Sequence, residues 1–324
     1  MKSPLLIALP IVLFIGAQAQ AQLARQEFHA LQSITLSDAD FLNGKKDGVP
    51  VTLAGVLRLP KLGPEKLPAA ILLQGSGGVG GSGSMIDEWT RELNEIGIAT
   101  FAVDSFSGRG IIETVTDQTR LGRLSMIVDA YRALELVSKH RQIDPVRVAV
   151  MGFSRGGQSA LYSSVVRFRK MHGPPGELNF AAHIAMYPTC NTTFRDDDDV
   201  VARPIRLLHG TADDYAPIAP CRAYVERLSK AGKDIRLVEY PDAHHVFDAP
   251  AFREPRKLAA AATVRRCLMA EADNGVILNQ ETKQPFSYGD ACVEKGPTVA
   301  FNEVASAQAR AFVRDFLKEV FASK

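Results

Sequence analysis

The chain has 324 residues, with 38 basic against 36 acidic side chains for a formal charge of +2, and 46% of its residues are hydrophobic. That balance, without a long basic run, gives no footprint for nucleic acid. The length is ample for a buried core.

Met1 and Lys2 supply a positive start, residues 5–15 an apolar run, and Ala17-Gln18-Ala19 and Ala19-Gln20-Ala21 two small-x-small cleavage sites. Together they read as a secretory signal peptide over residues 1–21. The apolar run is shorter than the roughly 20 residues a membrane-spanning helix needs, and no later stretch comes close. The mature chain is therefore expected to be exported, periplasmic or secreted, and free of the membrane; a membrane anchor is the competing reading. Residues 22–324 carry no internal repeat or linker and are expected to form a single domain.

Residues 30–60 look like an antiparallel opening, because Val51, Leu53, Gly55 and Leu57 alternate with Thr52, Ala54 and Arg58. The grammar changes from residue 67. Residues 69–73 read as a buried strand, 85–96 as a helix, 98–103 as a strand and 116–140 as a long helix. In the last, Leu121, Leu124, Val128, Tyr131 and Leu134 form one apolar stripe. A strand at 148–151 and a helix over 158–166 follow. Strands at 180–187, 204–208 and 235–240 come next, the last two separated by a helix over 217–231. Phe312, Val313, Phe316, Leu317 and Val320 mark a closing helix. Alternating strands and helices predict an α/β protein with a mostly parallel sheet covered on both faces, and a ligand site at the carboxyl ends of its strands.

Four cysteines in an oxidising compartment predict two disulfides. Cys190 and Cys221 follow successive strands, while Cys267 and Cys292 bracket a polar, turn-rich segment. Of the three possible pairings, Cys190 with Cys221 and Cys267 with Cys292 is expected. No C-x-x-C or H-x-x-x-H spacing suggests a metal, and no cofactor is implied.

Residues 147–157 join a buried strand to a glycine-rich turn, Gly152-Phe153-Ser154-Arg155-Gly156, which fits G-x-S-x-G between a strand and a helix. There a serine hydroxyl projects from strained backbone, and glycines on either side remove colliding Cβ atoms. A plain helix-capping serine is the alternative. If Ser154 is a nucleophile on this topology, an acid and then a histidine must follow it in the chain. His29 and His140 precede Ser154, His172 and His183 precede any suitable acid, and His209 precedes the carboxylates beside it. His244 and His245 remain, with Asp213 or Asp214 as the acid; chemistry alone does not separate the members of either pair.

From about residue 50 onward the chain resembles the dienelactone hydrolase-like branch of the α/β-hydrolases. Gly152-Phe153-Ser154-Arg155-Gly156-Gly157 is similar to the family's nucleophile elbow, Gly210-Thr211-Ala212-Asp213 with Pro217 to its acid loop, and Tyr240-Pro241-Asp242-Ala243-His244-His245-Val246-Phe247 to its histidine loop. The segment from Asp104 to Gly110 also looks like a family segment beside the active site. In that register the resemblance implies Asp213 as acid and His245 as base, in a serine hydrolase of a small carboxylic ester. It departs from the family in having Ser154 where the name-giving enzymes use cysteine, and no acid after Gln74-Gly75.

Backbone N–H groups of Arg155 and Ser76 are the expected oxyanion donors. Arg109 is a candidate to grip an anionic substrate group, or else a structural clamp on carbonyls. Asp196 to Asp199 read as a solvated loop, since the calcium-loop spacing is absent. Residues 252–297, tied by Cys267 and Cys292, could roof the pocket. Two other function classes stay open. Gly75-Ser76-Gly77-Gly78-Val79-Gly80 followed by Asp104 has the spacing of a nicotinamide dinucleotide fingerprint, although no helix clearly begins before Met85; and a hydrolase scaffold can serve as a non-catalytic binding protein. No protein partner is implied.

Overall fold

A computed structural model describes residues 25–61 and 65–322. The signal-peptide reading lies outside the described residues. In chain order the first half supplies β1 (Arg25–Thr35), α1 (Asp38–Leu42), β2 (Val49–Leu59), β3 (Leu67–Leu73), α2 (Gly78–Glu95), β4 (Ala99–Asp104), α3 (Ser125–Ser138) and β5 (Ile143–Phe153). The second half supplies α4 (Arg155–Tyr162), α5 (Val166–His172), β6 (His183–Met186), the two-residue β7 (Thr192–Thr193), β8 (Ile205–Gly210), α6 (Ile218–Lys230), β9 (Ile235–Tyr240) and α7 (Glu303–Ala322).

Eight strands pair in the order β1-β2-β4-β3-β5-β6-β8-β9. β1 and β2 run antiparallel from Arg25↔Leu59 to Thr35↔Val49, and β2 meets β4 antiparallel. Every pairing from β4 onward is parallel. The expected α/β fold with an antiparallel start is the one observed.

The central strands explain why the sheet needs cover on both sides. In β3, Ala69, Ile71 and Leu73 face one core and Ala70 and Leu72 the other, as the two-residue period dictates. β5 repeats the pattern, with Val148 and Val150 on the first side and Ala149, Met151 and Phe153 on the second. The first core is closed by residues of α3, α4, α5 and α6. Trp89 of α2 and Val313, Phe316 and Leu317 of α7 close the second.

Three helix boundaries differ from expectation. α2 starts at Gly78 rather than Met85; in its glycine-rich first turns only Gly78 and Ser82 are buried, and Val79, Gly80 and Gly81 are exposed. At Gly78, φ is +63° and a Cβ would lie 2.1 Å from the Ile112 carbonyl oxygen, so only glycine fits. The long helix expected over 116–140 is α3 alone. Ahead of it Leu121 is extended, and Asp38 Oδ1 accepts from the Leu124 N–H at 3.0 Å, which fixes the later start. α4 begins at Arg155, directly after the elbow, and the unforeseen α5 follows it.

Between β9 and α7 the chain makes short ladders in place of long elements. Arg256–Lys257 pairs with Thr298–Val299, Ala262–Thr263 with Glu294–Lys295, and Met269–Glu271 with both Ile277–Asn279 and β7. Disulfides join Cys190 to Cys221 and Cys267 to Cys292, as expected. The acidic run is only partly solvated: Asp197 is buried, and its carboxylate meets Arg227 at 2.6 Å. Among the described residues no helix is long and apolar enough to cross a membrane.

Candidate active site

Ser154 stands at the end of β5 with φ 54° and ψ −113°, a conformation an L residue holds only when its surroundings enforce it. The turn is tight enough that a Cβ on Gly152 would lie 1.9 Å from the Gly156 carbonyl oxygen, and one on Gly156 would lie 2.3 Å from that of Leu73. Ser154 N–H donates to Met186 O at 2.9 Å, and its carbonyl accepts from Gln158 N–H at 2.8 Å. The hydroxyl is thus presented from a turn anchored on the neighbouring strand and on α4.

Loops after β8 and β9 bring the remaining pieces. His245 Nε2 lies 2.8 Å from Ser154 Oγ, and its Nδ1 lies 2.7 Å from Asp213 Oδ2. With the ring proton on Nδ1, the imidazole donates to the carboxylate and accepts from the hydroxyl. Asp213 Oδ1 accepts from the N–H groups of Tyr215 and Ala216 at 2.9 and 2.8 Å. Burial alone would raise the Asp213 carboxyl, but the charge of His245 and hydrogen bonds from His209 and His245 outweigh it and hold it well below the usual carboxylate range. The acid is therefore ionised at any ordinary working pH.

The neighbours of each adjacent pair are employed elsewhere. Asp214 Oδ1 accepts from Thr298 N–H at 2.7 Å and Oδ2 lies 3.3 Å from Arg265, so it ties the acid loop to the segment before α7. His244 has a buried Nδ1 without a partner among the described residues and does not meet Ser154.

The imidazole of His245 is held between two aromatic rings, Tyr187 and Tyr215, each 4.8 Å away between centroids. Tyr187 is itself fixed: its hydroxyl donates to Asp248 Oδ1 at 2.8 Å, while Trp89 Nε1 donates to Asp248 Oδ2 at 2.6 Å. Sequence reasoning missed Asp248, Tyr187, His209 and Tyr215. The one available signal was that Asp248 and Tyr215 lie within three residues of an expected site residue.

The N–H groups of Ser76 and Arg155 have no acceptor among the described residues, and both residues line the cavity beside Ser154. The Arg155 side chain points elsewhere, donating to Leu121 O at 2.9 Å and to Gln118 O and Oε1 at 3.0 and 2.7 Å. Of the two readings of Arg109, the geometry favours the structural clamp on carbonyls over the substrate grip. Its guanidinium is buried, 2.8 and 2.9 Å from the Asp129 oxygens, and it also donates to Ser105 O and Ile34 O. A residue so saturated braces β1 and α3 and is not among the residues that line the cavity.

The glycine run after β3 has the turn-to-helix form of a dinucleotide loop, but its first glycine packs on the elbow. A Cβ on Gly75 would lie 3.4 Å from Ser154 Cβ. Asp104, in the position of the ribose ligand, accepts from Phe106 and Ser107 N–H at 2.9 and 3.0 Å, as a turn-forming carboxylate does.

The cavity holds about 50 Å³ and is lined by Ser154 and His245 together with Ala262, Thr263, Val264 and Tyr288 from the chain between β9 and α7. Residues 53–270 match the model of the dienelactone hydrolase family. The chain belongs to the dienelactone hydrolase family. It is accordingly an α/β-hydrolase, and by family a carboxylic ester hydrolase. Among solved structures it is similar to a dienelactone hydrolase-like promiscuous phosphotriesterase from metagenomic libraries, with TM-score 0.56, 14% identity, and coverage of 91% of this chain and 98% of that one. A thermophilic esterase from the planctomycete Thermogutta terrifontis aligns with TM-score 0.50 and 20% identity over 67% of this chain and 83% of that one. At these identities the likeness concerns the fold. No curated protein matches the chain.

Proposed function

We propose that this dienelactone hydrolase family member is a serine esterase that cleaves a small ester through an acyl-enzyme, with Ser154 as nucleophile, His245 as base and Asp213 as the acid that orients it. The observation that carries this is the unbroken series Ser154 Oγ, His245 Nε2, His245 Nδ1, Asp213 Oδ2, with links of 2.8 and 2.7 Å. His245 takes the hydroxyl proton as Ser154 Oγ bonds to the carbonyl carbon, and the ionised Asp213 stabilises the imidazolium. The carbonyl oxygen becomes an anion, and the free N–H groups of Ser76 and Arg155 are suited to receive it. Each such donor is worth about 3 kcal/mol in the transition state. His245 then protonates the leaving alcohol, and a water activated by the same imidazole releases the acid.

The small cavity favours a short acyl group. Residues 252–297 act in this reading as a lid of the single hydrolase domain, and two disulfides suit an exported enzyme working in an oxidising compartment. Labelling with a fluorophosphonate tests the proposal. The native chain is expected to label and Ser154→Ala to remain unlabelled; equal labelling of both would remove Ser154 as nucleophile.

A further inference from the structure

Beside the catalytic cavity lies a second, far larger hollow. The cavity at Ser154 has about 50 Å³, a few times the roughly 10–15 Å³ that one water requires, so it suits an acetyl- or propionyl-sized group. The neighbouring groove has about 760 Å³, inside the roughly 300–1,000 Å³ usual for ligand sites. Gln118, Arg123 and Tyr288 line both spaces. An ester with its carbonyl carbon at Ser154 and one arm too long for the cavity therefore reaches the groove across these three residues.

The groove is held in shape. One wall is α1 with the loop before α3, and the other is the chain from Gly275 to Tyr288. Asn43 Nδ2, at the end of α1, pins that chain by donating to Asn274 O at 2.7 Å. Arg155 holds Gln118 Oε1 at 2.7 Å, the Arg123 guanidinium stands 5.2 Å over the Phe286 ring, and Phe286 meets Tyr288 edge-on at 5.3 Å. The charges of the wall are already engaged: Asp38 Oδ2 faces Arg123 at 3.3 Å, Asp40 Oδ1 faces Lys45 at 2.6 Å, and Arg120 donates to Glu113 O at 3.5 Å. Two aromatic faces beside carboxylates that are already paired suit an uncharged ring.

Resting on the serine esterase reading, we propose that this groove is the alcohol subsite and that the substrate is an ester of a short acid with a bulky aryl alcohol. The order of the reaction assigns the arm. As the tetrahedral intermediate collapses, the bond from carbon to the alcohol oxygen breaks, its electron pair stays on that oxygen, and His245 supplies the proton. The alcohol must then leave before water enters, whereas the acyl group remains bonded to Ser154. The departing arm belongs in the wide groove, whose rim residues Ser37, Ala39, Thr119 and Ser287 are exposed. The retained arm belongs in the narrow cavity.

The test varies the two arms separately, with p-nitrophenyl acetate, p-nitrophenyl octanoate and 4-methylumbelliferyl acetate, whose alcohol has two fused rings. The native enzyme is expected to turn over both acetates with similar kcat/KM and the octanoate at least about tenfold less well. Ser287→Trp fills the groove at a residue that does not line the cavity. It is expected to raise KM for 4-methylumbelliferyl acetate about tenfold and to leave p-nitrophenyl acetate little changed. A native preference for the octanoate, an equal loss on both acetates or no loss on either overturns the assignment. Thermal melting checks that the variant folds, and Ala39→Trp on α1 repeats the test if it does not. Fluorophosphonate labelling of the native chain separates the two readings: without labelling the esterase reading fails, whereas a labelled enzyme indifferent to the groove substitutions defeats only this one.

Discussion

His209 Nε2 stands 3.3 Å from Asp213 Oδ2, the same carboxylate oxygen that His245 Nδ1 meets at 2.7 Å. It also donates to Ala216 O at 2.7 Å, so this histidine braces the acid loop from behind while His245 works in front. Replacing it with phenylalanine removes one donor from the carboxylate, and kcat is expected to fall about tenfold with KM little changed. Asp213→Asn presents the wrong face of an amide to the imidazole and is expected to lower kcat by about 10⁴. Steady-state hydrolysis of p-nitrophenyl acetate reads both. An Asp213→Asn enzyme within threefold of the native rate would be incompatible with the assigned role.

Asp248 carries the second support of the base. Its two oxygens satisfy the buried Trp89 indole N–H and the Tyr187 hydroxyl. Asp248→Ala leaves the Trp89 indole N–H unpaired and the Tyr187 hydroxyl with only the Met85 sulfur, a cost of roughly 3 kcal/mol in stability. It also frees the Tyr187 ring that lies against His245, so kcat is expected to fall as well. Chemical unfolding and kinetics on the same preparation measure the pair of effects; a variant as stable as the native chain counts against the network.

Acid sensitivity is expected from a histidine remote from the chemistry. His183 on β6 is buried, with Nδ1 bonded to Ser163 and Ala160, and burial pushes its pKa down to about 4 from 6.5. Because the unfolded chain takes up a proton that the folded one refuses, this contribution to stability is complete above pH 6.5 and disappears as pH falls to 4. It amounts to roughly 3 kcal/mol. Urea unfolding at pH 7, 5.5 and 4.5 should show a slope that His183→Gln flattens; parallel curves for the two proteins would refute it.

The Cys190 to Cys221 bridge spans 31 residues and joins the loop after β6 to α6. On the chain-entropy model its removal in Cys190→Ala/Cys221→Ala costs about 4 kcal/mol. Thr189, its neighbour, lines the cavity, so a rise in KM is expected alongside the lower melting temperature. An unchanged melting temperature on reduction would show that the bridge is not structural.

Much of this site was legible in the chain because its chemistry is local. Ser154 announces itself through glycines two places either side, and the order of acid and histidine after it leaves four residues, two of which the geometry selects. Strands of β3 and β5 were legible because unbroken apolar runs have few other uses. What escaped was non-local. The crowding that demands glycine at the start of α2 comes from Phe106 and Ile112, and the saturation of Arg109 depends on Asp129, 20 residues away in sequence. His209 and Asp248 look like ordinary strand and loop residues until the fold sets them against Asp213 and Tyr187, the neighbours of His245.

The chain between β9 and α7 meets the loop after β8 through Thr263 to Tyr215 and Thr298 to Asp214, while Ser154, Arg155 and Ser76 stand on the turns that follow β5 and β3. On the proposed esterase reading, the part that judges the ester and the part that breaks it are mutationally separable. Substitutions at residues 262, 264 and 288 can redraw the catalogue of accepted acids and alcohols while the proton relay stays intact, giving breeders of new esterases a place to work.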